Sequence, residues 1–303
     1  MTGFLLRRLA FAVLLVVGVA SASFALVHLA PGDFYSEFGP GTDQARLRAE
    51  RHAAGLDRPF LEQYGAWLGR AVRLDFGRSL KFQRPVSDLL GERTRNTAIL
   101  GGVALVLATV LGVPLGVFTG SRRGGFLPEL VRALSMALLA VPPLVGVLAL
   151  TALAARSGWL APGGANASNL VVPALALGLP LAAIIERMQA QAIRDALGAR
   201  YLLAARARGV PRGRLIWKHA LRASLGPIIG VYGVIAGTLL SGSFVVEIVA
   251  DWPGLGLLMA DGLRARDIFL VSGCAAAVSV LLAVAILISD LVHLWIDPRV
   301  REA

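Results

Sequence analysis

An all-α, polytopic membrane protein with six transmembrane helices and both termini on the cytoplasmic side is the architecture this sequence predicts. Three observations carry that expectation. The 303 residues are 56% hydrophobic with a mean hydropathy of +0.69, the composition of an integral membrane protein. Apolar runs long enough to cross a bilayer recur along the chain, separated by Pro, Gly and short charged segments. The cations are also clustered: 9 Lys and Arg lie between Arg187 and Arg222, 3 between Arg122 and Arg132, and 2 at Arg7-Arg8. These groups flank apolar runs, as the positive-inside rule expects of cytoplasmic loops.

Leu9 to Ala30 contain no Asp, Glu, Lys or Arg. At 1.5 Å per residue they make about 33 Å of helix, enough for a ~30 Å hydrocarbon core. Residues 1–30 therefore read as an N-terminal transmembrane helix. Ala20-Ser21-Ala22 would also serve as a small-residue cleavage site, and a cleaved signal peptide would leave five spans. The apolar run continues well past that site, which favours a retained span carrying Arg7 and Arg8.

Pro31-Gly32-Asp33 opens a polar region, 31–95, with eleven basic and nine acidic residues. Regions longer than about 60 residues are translocated largely regardless of charge, so an external, periplasmic location is permitted. Gln44 to Ala54 reads as a helix stopped by Gly55. A second helix, about Pro59 to Val72, has Asp57 as a candidate cap and Leu61, Tyr64, Leu68 and Val72 at helical spacing. A small capping subdomain without a ligand is favoured over a binding site here.

The second span runs from Thr97 to Gly120 and ends in Ser121-Arg122-Arg123. The third occupies roughly Leu127 to Ala155, interrupted by Pro142-Pro143. A double proline frees backbone carbonyls that lipid cannot satisfy, so this point faces protein or a water-filled path. A packed kink with no transport role fits equally well. Gly158 to Asn169 is a short uncharged loop, and its Asn166-Ala167-Ser168 sequon is too weak a pattern to use. The fourth span, about Leu170 to Ile185, carries Pro173 and Pro180. The fifth covers about Leu225 to Val249, a mixed-charge external turn follows at Asp261 to Asp267, and the sixth covers about Phe269 to Trp295.

Between the fourth and fifth spans lies the basic loop 187–222. Its part Tyr201 to Arg222 divides into a helix, a break at Gly209-Val210-Pro211 and a second short helix. Gly209 suits the left-handed position just past a helix end, and Pro211 suits the first turn of the next helix. Ile193, Leu197, Tyr201 and Ala204 share a helical face, with Arg208 on it and Leu202 and Leu203 off it. A solvated basic helix pair at the membrane surface and a docking element for another protein both fit these residues.

Ala204-Ala205, three residues, Gly209, nine residues, then His219-Ala220-Leu221-Arg222 resembles the EAA loop of ABC importer permeases. The family pattern runs Glu-Ala-Ala, three residues, Gly, nine residues, Ile-x-Leu-Pro. Here Leu203 replaces the Glu, His219 the Ile and Arg222 the Pro. The Ala-Arg-Ala-Arg-Gly wording is closer to the dipeptide, oligopeptide and nickel branch. Pro31-Gly32-Asp33 and Leu74-Asp75-Phe76-Gly77-Arg78-Ser79 resemble what its B-type permease carries after the first span. Gly242-Ser243-Phe244-Val245-Val246-Glu247, leading into Pro253-Gly254-Leu255-Gly256, and the ending Asp297-Pro298-Arg299 are also similar to the family.

The resemblance implies an ABC importer permease-like fold, with a five-helix permease core over 96–303. It implies that the loop docks into a cytoplasmic ATPase through Ala204, Ala205, Arg206, Arg208, Gly209, His219, Leu221 and Arg222. It further implies a second homologous permease, two ATPase subunits that use ATP and Mg, an external substrate-binding protein or lipoprotein, and a multi-pass place in the bacterial inner membrane. Peptides, or small solutes such as nickel chelates or glutathione, would be the cargo. Arg212, beside the turn, is expected to tolerate replacement by Ala.

Other functions find less in the sequence. Lys81 and Lys218 are the only lysines and neither follows a P-loop frame, so ATP hydrolysis belongs to another subunit. Cys274 is the single cysteine, and His28, His52, His219 and His293 lack ligand spacing, which leaves no case for a metal or other cofactor. No aromatic-interleaved basic face points to nucleic acid. A secondary transporter would need acidic residues at membrane depth. Glu186 and Glu247 fall at span ends where water is reachable, Asp290 is the more deeply buried candidate, and no inverted repeat relates the halves. An intramembrane serine protease would pair Ser241 or Ser243 with His293, but these lie near opposite ends of the fifth and sixth spans. Pro142, Pro143, Glu247 and Asp290 remain the candidate pathway or gate residues.

Overall fold

The computed structural model describes residues 2–37, 43–122, 124–158 and 166–296. Arg123, Gly163 and the ending Asp297-Pro298-Arg299 lie outside them. The described chain is helical and divides into two compact units. Among the described residues, one holds those of 2–97 and 253–283, the other those of 98–252 and 284–296.

The first unit contains α1 (Thr2–Leu29), α2 (Gln44–Ala53), α3 (Phe60–Ala71), the start of α4 (Val86–Ser121), α12 (Leu255–Arg264) and the first half of α13 (Ile268–Ile296). Its core joins Ala20 and Phe24 of α1 to Trp67, Val86, Leu258, Leu270 and Cys274. The Phe24 and Trp67 rings lie 5.0 Å apart, and Ser21 Oγ and Tyr64 OH share a 2.7 Å hydrogen bond. Residues around the candidate cleavage site thus pack into this core.

Asp43 caps α2 by accepting from the Ala45 and Arg46 amides, and Gly55 ends that segment with φ +71°. Two expectations for α3 fail. Its N-cap is Pro59 with no side-chain bond, while Asp57 pairs with Arg51 at 3.1 Å. Leu61 and Val72 are 77% and 79% exposed, and the face turned inward is Phe60, Tyr64, Trp67 and Ala71. The larger apolar area of the aromatic rings selects that stripe over the leucine one. The start of α4 is also earlier than expected, at Val86 instead of Thr97, so residues 86–95 belong to a helix about 54 Å long.

The second unit contains the rest of α4, α5 (Phe126–Ala140), α6 (Pro143–Arg156), α7 (Ala167–Gly198), α8 (Arg200–Ala207), α9 (Arg212–Arg214), a π-helical turn Leu215–Ala220, α10 (Leu221–Ile229), α11 (Tyr232–Val249) and the second half of α13. Its core is built from Leu100, Ala104 and Ala108 of α4, Leu177, Leu181 and Ile185 of α7, and Ile235, Leu239 and Val246 of α11.

Among the described residues, α1, α4, α7, α11 and α13 are each long and apolar enough to cross a membrane. The pair α5 and α6 makes a sixth span only as a broken one, bent by 103° at Pro142-Pro143. Proline at the first position of α6 starts a new helix there because it cannot continue the old one. The apolar window of α7 is 61% buried against 11–39% for the other four, so α7 is the inner helix of its unit.

Two further boundaries, both in the second unit, differ from the sequence expectation. The fourth run was expected to end at Ile185, yet α7 continues to Gly198. Residues 186–197 are mostly Met, Gln, Ala, Ile, Leu and Arg, which propagate a helix whether or not they are apolar. The fifth run is not continuous: Gly230 caps α10, and α11 restarts at Tyr232.

Candidate functional site: the 199–222 hairpin and its root

Ala199 is extended (φ −67°, ψ 137°), and this one residue both ends α7 and begins α8. The break resets the helical phase. Leu202 becomes 1% exposed, whereas Tyr201 and Leu203 are 57% and 51% exposed. The face expected from unbroken periodicity, with Tyr201 in and Leu202 out, is therefore reversed.

Helix α8 ends in a left-handed glycine turn. The Gly209 N–H donates to Arg206 O at 3.0 Å and the Val210 N–H to Ala205 O at 3.3 Å, with Gly209 at φ +82°. These are the two bonds of a Schellman motif, and Ala205 and Val210 both pack against the apolar cluster beneath it. Pro211 is the N-cap of α9, one position before the first turn where it was expected. Beneath the turn, Leu202, Leu215 and Ala220 pack with Val117 of α4 and Ile193 of α7.

This anchoring leaves Ala204, Arg206, Arg208, Gly209, His219 and Arg222 exposed, with Ala205 and Leu221 half-buried. A Cβ placed on Gly209 would meet nothing within 4 Å. Six of the eight expected docking residues thus face outward, and two hold the hairpin down.

The root of the hairpin is polar. Arg212 Nη2 donates to Ser121 O at 2.9 Å, and Arg132 Nη2 to Thr119 O at 2.9 Å. Both guanidiniums cap terminal carbonyls of α4, where the helix dipole favours cations. The Thr119 hydroxyl donates to Glu186 Oε1 of α7. One turn on, Gln189 Nε2 donates to Ser224 Oγ of α10 at 2.7 Å, and Ser224 Oγ donates to Leu221 O. Glu186 and Gln189 are 1% and 0% exposed. Glu186 Oε2 and Gln189 Oε1 have no hydrogen-bond partner among the described residues.

Glycines make this close approach of α4 and α7 feasible. A Cβ on Gly116 would lie 2.6 Å from both Glu186 O and Gln189 Cβ, and one on Gly120 would lie 2.5 Å from Ala190 O. The spacing Gly112, Gly116, Gly120 is a readable small-residue stripe of the kind that lets membrane helices touch. It was the one available signal for this contact. Thr119, Gln189, Ser224 and Arg212 were missed because nothing in local spacing pairs them across 35 to 91 residues.

The acidic residues also change rank. Glu186 and Glu247, expected near water, are 1% and 0% exposed, while Asp290 is only half-buried. Glu186 is inside because α7 runs on past it and α4 packs against it. Over Glu247, the chain folds back through Asp251 (φ +51°), and the Trp252 N–H donates to Glu247 O at 2.9 Å. Pro142 and Pro143 sit exposed at the α5–α6 corner. Ser243 donates to Leu240 O, and the His293 ring lies against Gly230. Gly230 and Ser243 are 13 residues apart, about 20 Å along helix, which is too far for base activation.

A family model described as binding-protein-dependent transport system inner membrane component matches residues 112–302. A companion N-terminal model of the same system matches residues 1–100. The chain is 31% identical over 315 residues to the oligopeptide transport system permease protein AppB of Bacillus subtilis (strain 168), covering 99% of this chain and 100% of that one. It is 30% identical over 340 residues to the dipeptide transport system permease protein DppB of Escherichia coli (strain K12), covering 100% and 99%. Among solved structures it resembles a chain of the MetNI methionine ABC transporter in inward-facing conformations. The TM-score is 0.60 and the identity 19%, over 69% of this chain and 96% of that one. That likeness is one of fold.

Proposed function

The chain belongs to the family of binding-protein-dependent transport system inner membrane components, and from that premise we propose that it forms half of an import path for peptides and docks an ATPase through the 199–222 hairpin. Membership makes it a multi-pass inner-membrane subunit of an ABC importer that works with a binding protein and separate ATPase subunits. It also sets aside the secondary-transporter and intramembrane-protease readings.

Peptide cargo rests on the full-length similarity to dipeptide and oligopeptide permeases. Half a path fits the shape of the second unit. An open-sided cleft of about 880 Å³ is lined by Met136, Leu139, Met188 and Tyr201 with Arg132 and Arg187, and a second wall would close it. A second, homologous permease is the natural source of that wall. Pro142, Pro143, Glu247 and Asp290 stay as candidate gate residues on three different elements of this chain.

The observation that carries the docking reading is the hairpin itself: a rigid left-handed turn, apolar underneath, presenting small and basic residues outward. On ATP binding, the closing ATPases would pull this element and switch the path between inward- and outward-facing. The test is Gly209→Glu. Within the chain the substitution meets open space, so its only internal cost is the left-handed backbone, about 1 kcal/mol. Against a packed partner it would also bury an unpaired carboxylate, at a cost of several kcal/mol. The expected variant reaches the membrane at wild-type levels but loses its ATPases and fails to take up radiolabelled di- and tripeptides. Ala204→Glu, at another exposed position, should behave the same way. Normal ATPase co-purification with Gly209→Glu would sink the docking reading. Normal docking in the unsubstituted complex without peptide uptake would sink only the cargo.

A further inference from the structure

The bonds at the root of the hairpin close on themselves. Arg212 of α9 holds the Ser121 carbonyl of α4. Two residues earlier on α4, Thr119 holds Glu186 of α7. One turn further along α7, Gln189 holds Ser224 of α10. The chain then returns from Ser224 through the π-helical turn to Arg212 without a break in helix. We propose that this ring is a collar that makes the hairpin move as one block with α4 and α7, so that Arg212, Thr119, Glu186, Gln189 and Ser224 are positioning residues for transport. The proposal rests on the docking reading and adds the route by which motion leaves the docked element.

Three physical features support a rigid block over a hinge at this point. The hairpin joins α7 through a single extended residue, Ala199, which alone would allow the two helices to swing. A bond from Arg212 to Ser121 of α4, 78 residues earlier along the chain from Ala199, adds a directional tie to the apolar packing of Leu202 and Leu215 with Val117. Two attachments on different helices remove the swing that one permits. The α4–α7 contact is itself closed by backbone approach at Gly116 and Gly120, so the Thr119–Glu186 bond sits between surfaces with no room to slide. The two unmatched oxygens, Glu186 Oε2 and Gln189 Oε1, lie inside the same ring. A buried polar group left without a partner is costly, and its retention here fits a network whose task is positioning rather than maximal stability. The collar therefore predicts, against the sequence expectation, that Arg212→Ala is not mild, because the guanidinium reaches a second helix.

The test uses the assembled complex with its ATPases in lipid nanodiscs, and spin labels on cysteines placed at Arg214 of the hairpin, outside the docking set, and Val110 of α4. Both sites are exposed, and the native Cys274 is buried. Pulsed electron resonance measures the distance without nucleotide and with an ATP analogue that closes the ATPases. A collar predicts one narrow distance that stays the same in both states. Arg212→Ala and Ser224→Ala should each broaden and shift it on nucleotide binding, while the ATPases remain bound. Arg212→Lys, still able to donate to Ser121 O, should restore the narrow distribution, and Glu186→Gln, still an acceptor for Thr119, should leave it intact. A nucleotide-driven shift in the unsubstituted complex, or no effect of both alanine variants, overturns the collar. Loss of the ATPases in Arg212→Ala also overturns it, since Arg212 would then be a docking contact. A complex that never retains ATPases, even unsubstituted, would refute the docking reading instead.

Discussion

Asp267 and Glu186 are both buried carboxylates, 0% and 1% exposed, one in each unit of the molecule. Their surroundings are opposite. Asp267 Oδ2 accepts from Ser79 Oγ at 2.6 Å and from the Lys81 N–H at 3.1 Å, while Oδ1 accepts from the Leu270 N–H at 3.2 Å. It ties the 77–85 turn to the start of α13 and leaves neither oxygen idle. Glu186 has one oxygen held by Thr119 and the other without a partner among the described residues. A saturated carboxylate is a structural clasp, since every group it touches would be orphaned by its removal. A half-saturated one holds through a single bond, so its replacement orphans less. The difference places the fully paired polar core in the first unit and the half-paired one beside the hairpin.

The largest effect is expected at the clasp. Asp267→Asn keeps the shape but turns an amide N–H₂ toward donors on at least one side, which should cost about 3 kcal/mol. Thermal unfolding of the purified protein would register it as a markedly lowered midpoint. A midpoint equal to the unsubstituted protein's would show that Asp267 is no tighter a site than Glu186.

An intermediate effect is expected at Gly116. A methyl there meets the Glu186 carbonyl and Gln189 Cβ at 2.6 Å, so Gly116→Ala must push α4 off α7 and should cost about 2 kcal/mol. The same melting assay reads it. A neutral result would mean that hydrogen bonds, and not close backbone packing, hold Glu186 inside.

Glu186→Gln should have the smallest effect, below about 1 kcal/mol in either direction. The Thr119 bond survives, and the new N–H₂ faces no competing donor. A loss as large as that of Asp267→Asn would mean that the second oxygen has a partner that the contrast leaves out.

Much was legible from the chain alone because its signals are local. Bilayer length selects runs of about 20 apolar residues, and five such helices with a broken sixth lie where those runs predict. Pro142-Pro143 and Gly209 act through their own backbone, so the corner and the left-handed turn could be read without knowing any neighbour. The order of the Ala-Arg-Ala-Arg-Gly and Pro-Gly-Leu-Gly segments identified the family that the whole-length matches establish.

Burial and partnership were decided only in three dimensions. One extended residue at Ala199 shifts the phase of everything after it, so Leu202 and not Tyr201 faces the core. Leu61 lost its expected place to Trp67 because the aromatic ring fills more of the space that α1 leaves. Glu186 reads as a water-facing residue at the head of a basic loop, since a charge next to Arg187 ordinarily marks the end of a span. It is buried because α7 keeps its helix past that point and α4, lined with glycine, comes close enough to bring Thr119 to it. Sequence carries the preferences of a residue and its near neighbours, whereas hydrogen bonds such as Arg212 to Ser121 exist only once distant helices have packed.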